Sequence, residues 1–98
     1  MNREEILETL ERFETETGLK AWSFQIDKKF YQVAEYGGVY RVPMRTSIWE
    51  TNKRGKRLGD YVFTMEGQDR IKCINLYLDK LEEAEIEKEI NSSSEKEN

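Results

Sequence analysis

The chain has 98 residues, 37% hydrophobic and 37% charged, with a formal net charge of −4 and no histidine. That length makes one domain with a small core, and an aromatic share of 11% sets it apart from a disordered chain. Its lone cysteine, Cys73, excludes an intrachain disulfide, and without histidine there is neither a Cys–His pair nor a Cys/His zinc site.

No apolar run approaches the roughly 18 residues of a membrane span. The start, Met1-Asn2-Arg3-Glu4-Glu5, is acidic and lacks a signal-peptide apolar stretch. A single cysteine suits a reducing compartment. The expectation is a cytoplasmic protein with no membrane contact, no cofactor and no metal.

Residues 3–17 read as a helix. Asn2 can cap it, with Glu5 at the third helical position in a capping-box spacing. Ile6, Leu10 and Phe13 follow i, i+4, i+7, and Leu7 widens the stripe. Gly18 fits the residue just past the end.

From residue 19 to 65 the period changes to two. Trp22, Phe24 and Ile26 alternate with smaller or polar residues, so 20–26 reads as a half-buried strand. After the turn Asp27-Lys28-Lys29, a second strand covers Phe30 to Tyr36. Gly37-Gly38 is a two-residue hairpin signal, since both positions can take positive φ. Val39 to about Glu50 is a third strand or two short ones, with Pro43 marking an edge, a bulge or a break. A polar turn around Gly55 leads to a last strand, Asp60 to Met65.

Residues 68 to about 90 form a second helix with the stripe Ile71, Ile74, Leu78 and Leu81. Leu76, Ile86 and Ile90 fall off that stripe. Residues 91–98 contain no apolar side chain and read as a disordered tail after a domain of 1–90. The predicted fold is α+β, a four-stranded antiparallel meander covered on one face by an N-terminal and a C-terminal helix (α-β-β-β-β-α).

Charge is unevenly placed along this layout. Residues 1–19 carry six acids and two bases, residues 20–57 nine bases and three acids, and residues 58–98 eleven acids and five bases. Nine of the eleven aromatic rings lie between residues 22 and 63, seven of them in this basic middle. Lys53, Arg54, Lys56 and Arg57 cluster on one turn. If the third strand runs without a bulge, Arg41, Arg45 and Trp49 share a face. Cations that track a backbone and rings that stack bases suit single-stranded nucleic acid. The plainer reading is that basic residues keep turns wet and block edge pairing. Trp22, Phe24 and Phe63 read as core, while Tyr31, Tyr36 and Trp49 are the ring candidates for exposed contacts.

The acids Glu82, Glu83, Glu85, Glu87 and Glu89 are explained by a solvated helix face, or by docking of a basic partner. Cys73, at the edge of the helix stripe, reads as a structural thiol. No carboxylate pair, nucleophile–base pair or phosphate loop marks an enzyme.

In element order, the basic meander followed by a long helix resembles single-stranded-DNA-binding transcriptional coactivators, which implies a strand-binding sheet. Small size, dense charge and the lack of catalytic residues resemble accessory proteins of phages or mobile elements. Two expectations follow. One is a non-enzymatic module that binds single-stranded nucleic acid through Arg41, Arg45, Trp49, Lys53, Arg54, Lys56 and Arg57. The alternative is a protein-binding regulator, an inhibitor or adaptor, acting through Leu76, Glu82, Glu83, Ile86 and Ile90. The oligomeric state is open, with a dimer among the options.

Overall fold

A computed structural model describes residues 2–97, with side chains described for residues 2–88. The order of elements is α1 (Arg3–Glu8), β1 (Glu11–Glu14), β2 (Lys20–Ile26), β3 (Lys29–Tyr36), β4 (Arg45–Thr51), β5 (Arg57–Glu66) and α2 (Arg70–Glu97). The fold is α+β, and its sheet is an antiparallel meander with strand order β1-β2-β3-β4-β5. Five strands are present where the sequence pattern suggested four.

The extra strand comes from the predicted first helix. Asn2 caps α1 as expected, its Oδ1 accepting from the Glu5 amide at 3.3 Å. The helix then stops at Glu8, and residues 11–14 pair with β2 from Glu11↔Ser23 to Glu14↔Lys20. A helix continued to 17 would leave the β2 edge unpaired, with a row of unused N–H and C=O groups. Thr15 closes the turn into β2, its amide donating to the Leu19 carbonyl at 3.0 Å. Gly18 sits in that turn, not at a helix end. Phe13 accordingly moves from the expected helix stripe to β1, opposite Ala21, and is 41% exposed.

The third predicted strand also changes. Residues 37–44 form a loop, and β4 begins only at Arg45. Gly37 and Gly38 do take positive φ (87° and 81°), but they open this longer loop and do not make a two-residue turn. Gly38 donates to the Val42 carbonyl at 2.7 Å, and Val42 donates to the Val39 carbonyl at 3.0 Å. Pro43 lies in the loop, so it interrupts no ladder. A Cβ at Gly37 would land on the Pro43 carbonyl, so only glycine fits there.

Both helices pack on one face. Phe24, Ile26, Tyr31, Val33 and Ile48 from the sheet meet Ile6 from α1 and Cys73, Ile74, Tyr77 and Leu78 from α2, with Trp22, Phe63 and Met65 packed at the margin. Tyr31, expected to be a surface ring, is therefore core; its ring is stacked 5.5 Å from Phe24. The stripe of α2 is rotated from the predicted one. Ile74 and Leu78 are fully buried, but Cys73 and Tyr77 are inside while Ile71 is exposed. Tyr77 explains the phase, since its ring sits 5.8 Å from Tyr31 and 5.9 Å from Phe63.

The start of α2 is fixed by polar contacts. Thr46 on β4 donates to the Gly67 carbonyl at 2.8 Å and accepts from the Asp69 amide at 3.1 Å. Asp69 in turn accepts from the Lys72 amide at 3.0 Å, capping the helix. Arg70 lies over the Trp22 ring at 4.4 Å and pairs with Glu35 at 3.4 Å. Arg3 of α1 reaches α2 through Glu82, at 3.0 Å, and Asp79. The expected tail, 91–98, and the off-stripe side chain Ile90 lie outside the residues whose side chains are described. Among the described residues, no helix is long and apolar enough to cross a membrane.

Candidate functional site

The sheet face turned away from the helices carries the remaining ring and charge pattern. Strand parity and register place Ser23 and Ala21 of β2, Phe30, Gln32, Ala34 and Tyr36 of β3, Ser47, Trp49 and Thr51 of β4, and Tyr61 and Thr64 of β5 on it. Two register shifts, between Ile48 and Trp49 and between Trp49 and Thr51, leave extra residues in β5. Bulges of this kind bend a strand and increase its twist. The β4–β5 hairpin accordingly curls over the face. Its turn comes to rest above β3, where a Cβ on Gly55 would be 3.5 Å from Gln32 Nε2.

Curling buries the centre of this face even without helices on it. Ala21, Ala34 and Trp49 form a second apolar cluster. Trp49 is only 6% exposed, so the ring expected to stack on a base is instead a packing residue. The available ring is its neighbour Tyr61, 43% exposed and 6.1 Å from Trp49. Tyr61 stacks on Tyr36 at 6.0 Å, and the Arg57 guanidinium lies 4.3 Å from the Tyr61 ring centre. Tyr36, Tyr61 and Arg57 thus make a short ladder of flat groups. The Tyr36 hydroxyl is held by Ser47 at 2.8 Å, and Ser47 is held by Thr64 at 2.9 Å. Tyr61 was legible as a strand aromatic, but its partner Arg57 could be found only once the bulged register was known.

The basic turn is stiff. Asn52 Oδ1 accepts from the amides of Arg54 and Lys56 at 2.9 and 3.0 Å, and the Asn52 backbone bonds to Gly55 and Lys56. Gly55 has φ 86°, the left-handed conformation this turn needs. Lys53, Arg54 and Lys56 are presented from this frame, with Arg57 at the first position of β5.

Arg41 and Arg45 stand at the other end of β4, about 20 Å away at the usual rise per residue. Arg45 shares Trp49's strand parity, as expected. Arg41 does not, because it belongs to the 37–44 loop with φ 69°. Among the described residues the ion pairs join Arg3 to Asp79 and Glu82, Lys29 to Glu50, and Arg70 to Glu35. None of Arg41, Arg45, Lys53, Arg54, Lys56 and Arg57 takes part in them.

Between the turn and β1 lies a groove of about 450 Å³, with Phe13, Phe30 and Gln32 on its floor and Glu14 and Glu16 on the opposite rim. Gln32 is 5% exposed, and its Oε1 has no hydrogen-bond partner among the described residues.

Two further surfaces stand apart from this face. On the 37–44 loop, Val39, Tyr40, Val42 and Met44 are exposed, Tyr40 to 94%. Tyr40 and Arg41 both hold positive φ (48° and 69°), an unusual conformation for non-glycine residues. On α2, Leu76, Glu83 and Ile86 are exposed, whereas Glu82 is engaged by Arg3. Among the described residues no group of three or more His, Cys, Asp or Glu side chains could hold a metal ion. Comparison of the chain with protein-family models, with curated proteins and with solved structures finds no match.

Proposed function

We propose that the protein is a non-enzymatic module that binds single-stranded nucleic acid across the curled sheet face. The observation that carries this reading is the placement of six cations that take part in no ion pair among the described residues, Arg41 and Arg45 toward one end of β4 and Lys53, Arg54, Lys56 and Arg57 at the other, with the stacked rings of Tyr36 and Tyr61 between them and Arg57 lying over Tyr61. A cation track holds the phosphates, and flat groups stack the bases. Arginine planes stack bases as aromatic rings do.

The test is a fluorescence titration with a short labelled oligonucleotide at several salt concentrations. Replacing Lys53, Arg54, Lys56 and Arg57 together by Gln weakens binding and flattens the salt dependence, by up to about 0.7 log units of slope per lost phosphate contact. Tyr61→Ala costs about 1–3 kcal/mol of binding with little change in slope, because stacking releases few ions. No binding by the wild type at low salt, where phosphate contacts are strongest, ends this reading.

The exposed, strained 37–44 loop favours a second reading, a protein-binding regulator that uses Val39, Tyr40, Val42 and Met44 in addition to the exposed Leu76 and Ile86 of α2. Exposed apolar and aromatic groups are typical interface anchors. Its binding would survive salt that abolishes phosphate contact, so the same titration, run against a captured partner, separates the two.

A further inference from the structure

Gln32 is the one buried side chain on the curled face whose amide oxygen is left without a hydrogen bond among the described residues. Buried polar atoms are paired in the great majority of cases, so an unpaired one marks a place where a donor from outside the chain can bind. Among the described residues no hydrogen bond holds the rest of the amide either, and its terminal torsion is soft. A half-turn about that torsion exchanges Oε1 with Nε2, the amide atom that lies toward Gly55 of the basic turn. The groove between that turn and β1, at about 450 Å³, lies within the size range of small-ligand pockets. Two rings, Phe13 and Phe30, give it a flat floor, and Lys53, Arg54 and Lys56 stand at one rim.

We propose that this groove takes one unpaired nucleobase and selects a base that carries an exocyclic amino group. The inference rests on the strand-binding reading above and adds sequence preference to it. The chemistry follows from the polar groups that line the groove, Gln32 among them once its amide has turned. Gln32 offers a carbonyl oxygen without a donor, and the opposite rim carries the carboxylates Glu14 and Glu16. These acceptors call for N–H donors. Adenine presents N6–H₂ and cytosine N4–H₂, while an unpaired thymine presents its single N3–H between two carbonyl oxygens, O2 and O4, which these acceptors repel. Glutamine pairs bidentately with adenine, and carboxylates accept from cytosine N4. The carboxylates also repel phosphate. The strand's backbone therefore lies on the side of the basic turn, and the base points inward.

The test compares labelled oligo(dA), oligo(dC) and oligo(dT) of equal length, titrated against the full chain at low salt and at two higher salt concentrations. Oligo(dA) and oligo(dC) bind about tenfold more tightly than oligo(dT), within the range of one good side-chain-to-base pair. Gln32→Met, close in volume and unbranched, brings the three within about twofold of one another and leaves the salt slope unchanged. An oligonucleotide of N6,N6-dimethyladenine, offered to the wild type, binds as weakly as oligo(dT), because its amino protons are gone. This arm needs no variant to fold. Equal binding of all three oligonucleotides by the wild type, or full affinity for the dimethylated one, overturns the inference while strand binding stands. If no oligonucleotide binds at low salt, both fall together.

Discussion

Burial holds three side chains of the core in their neutral forms. The Cys73 thiol, wholly buried and 3.7 Å from the Thr46 carbonyl, is pushed up from 9.0 to about 12, by burial first and then by Asp69. The Tyr31 and Tyr77 phenols are raised as well, with burial the leading cause. Each group keeps its proton in the fold but loses it at the ordinary value once unfolded. The stability they contribute is complete below those ordinary values and is lost as pH rises. For Cys73 the window runs from 9.0 to about 12. Thermal melts at increasing pH should show Tm falling above 9.0, with a shallower fall in Cys73→Ala. A wild-type Tm that stays level through this window would contradict it. The same burial predicts that a thiol reagent labels Cys73 only after denaturation. Packing separates two other residues. Leu78→Ala, at a fully buried site, is expected to cost about 2–5 kcal/mol. Phe13→Ala, with 41% of the residue already exposed, should cost about 1–2 kcal/mol, less than a fully buried ring. Denaturant melts that reverse this order would return Phe13 to the core.

At the scale of elements, the turns and the long helix give the sharpest expectations. Gly37→Ala forces a Cβ onto the Pro43 carbonyl at a φ of 87°, so the 37–44 loop must rebuild. The loss should exceed about 1 kcal/mol, read as a lowered denaturant midpoint with unchanged slope. Leu76→Ser and Ile86→Ser, on the exposed side of α2, should move stability by no more than about 0.5 kcal/mol. Any larger effect of these two should appear in concentration-dependent gel filtration, as a change in self-association. The elements that could be read from the sequence were those that local chemistry decides. Asn2 and Glu5 start α1, Trp22-Phe24-Ile26 alternates as β2, and Gly55 marks its turn. β1 was hidden because Ile6, Leu10 and Phe13 also fit a helical period, and only the open edge of β2 decides between the two. The phase of α2 was hidden for a like reason. Ile71 and Tyr77 both suit an apolar stripe, and the rings of Tyr31 and Phe63 select Tyr77. The basic turn was visible as a charge cluster. Gln32 was not, because its burial arises from a bulged hairpin that folds over it, and no local pattern reports such a contact.

For the molecule as a whole, stability rests on one apolar layer between sheet and helices and on the packing of the curled face, so a chelator and a reductant should both leave Tm unchanged. A large drop with either would reveal a bound metal or a disulfide between chains. The strictly sequential strand order has a further consequence, for how fast the chain folds. Every ladder in the sheet joins neighbours in sequence, so each can close across a turn or, between β3 and β4, across the 37–44 loop. Short closures cost little entropy, and folds made of them reach the native state quickly for their size. The contacts between α1 and α2 differ. Arg3 meets Asp79 and Glu82 across more than seventy residues and can form only after the sheet is in place. Stopped-flow chevrons should therefore place Arg3→Ala almost wholly in the unfolding limb, while Gly37→Ala, inside a hairpin, should also slow refolding. An Arg3→Ala chain that refolds several times more slowly would mean that the two helices meet early and that the strands assemble beneath them.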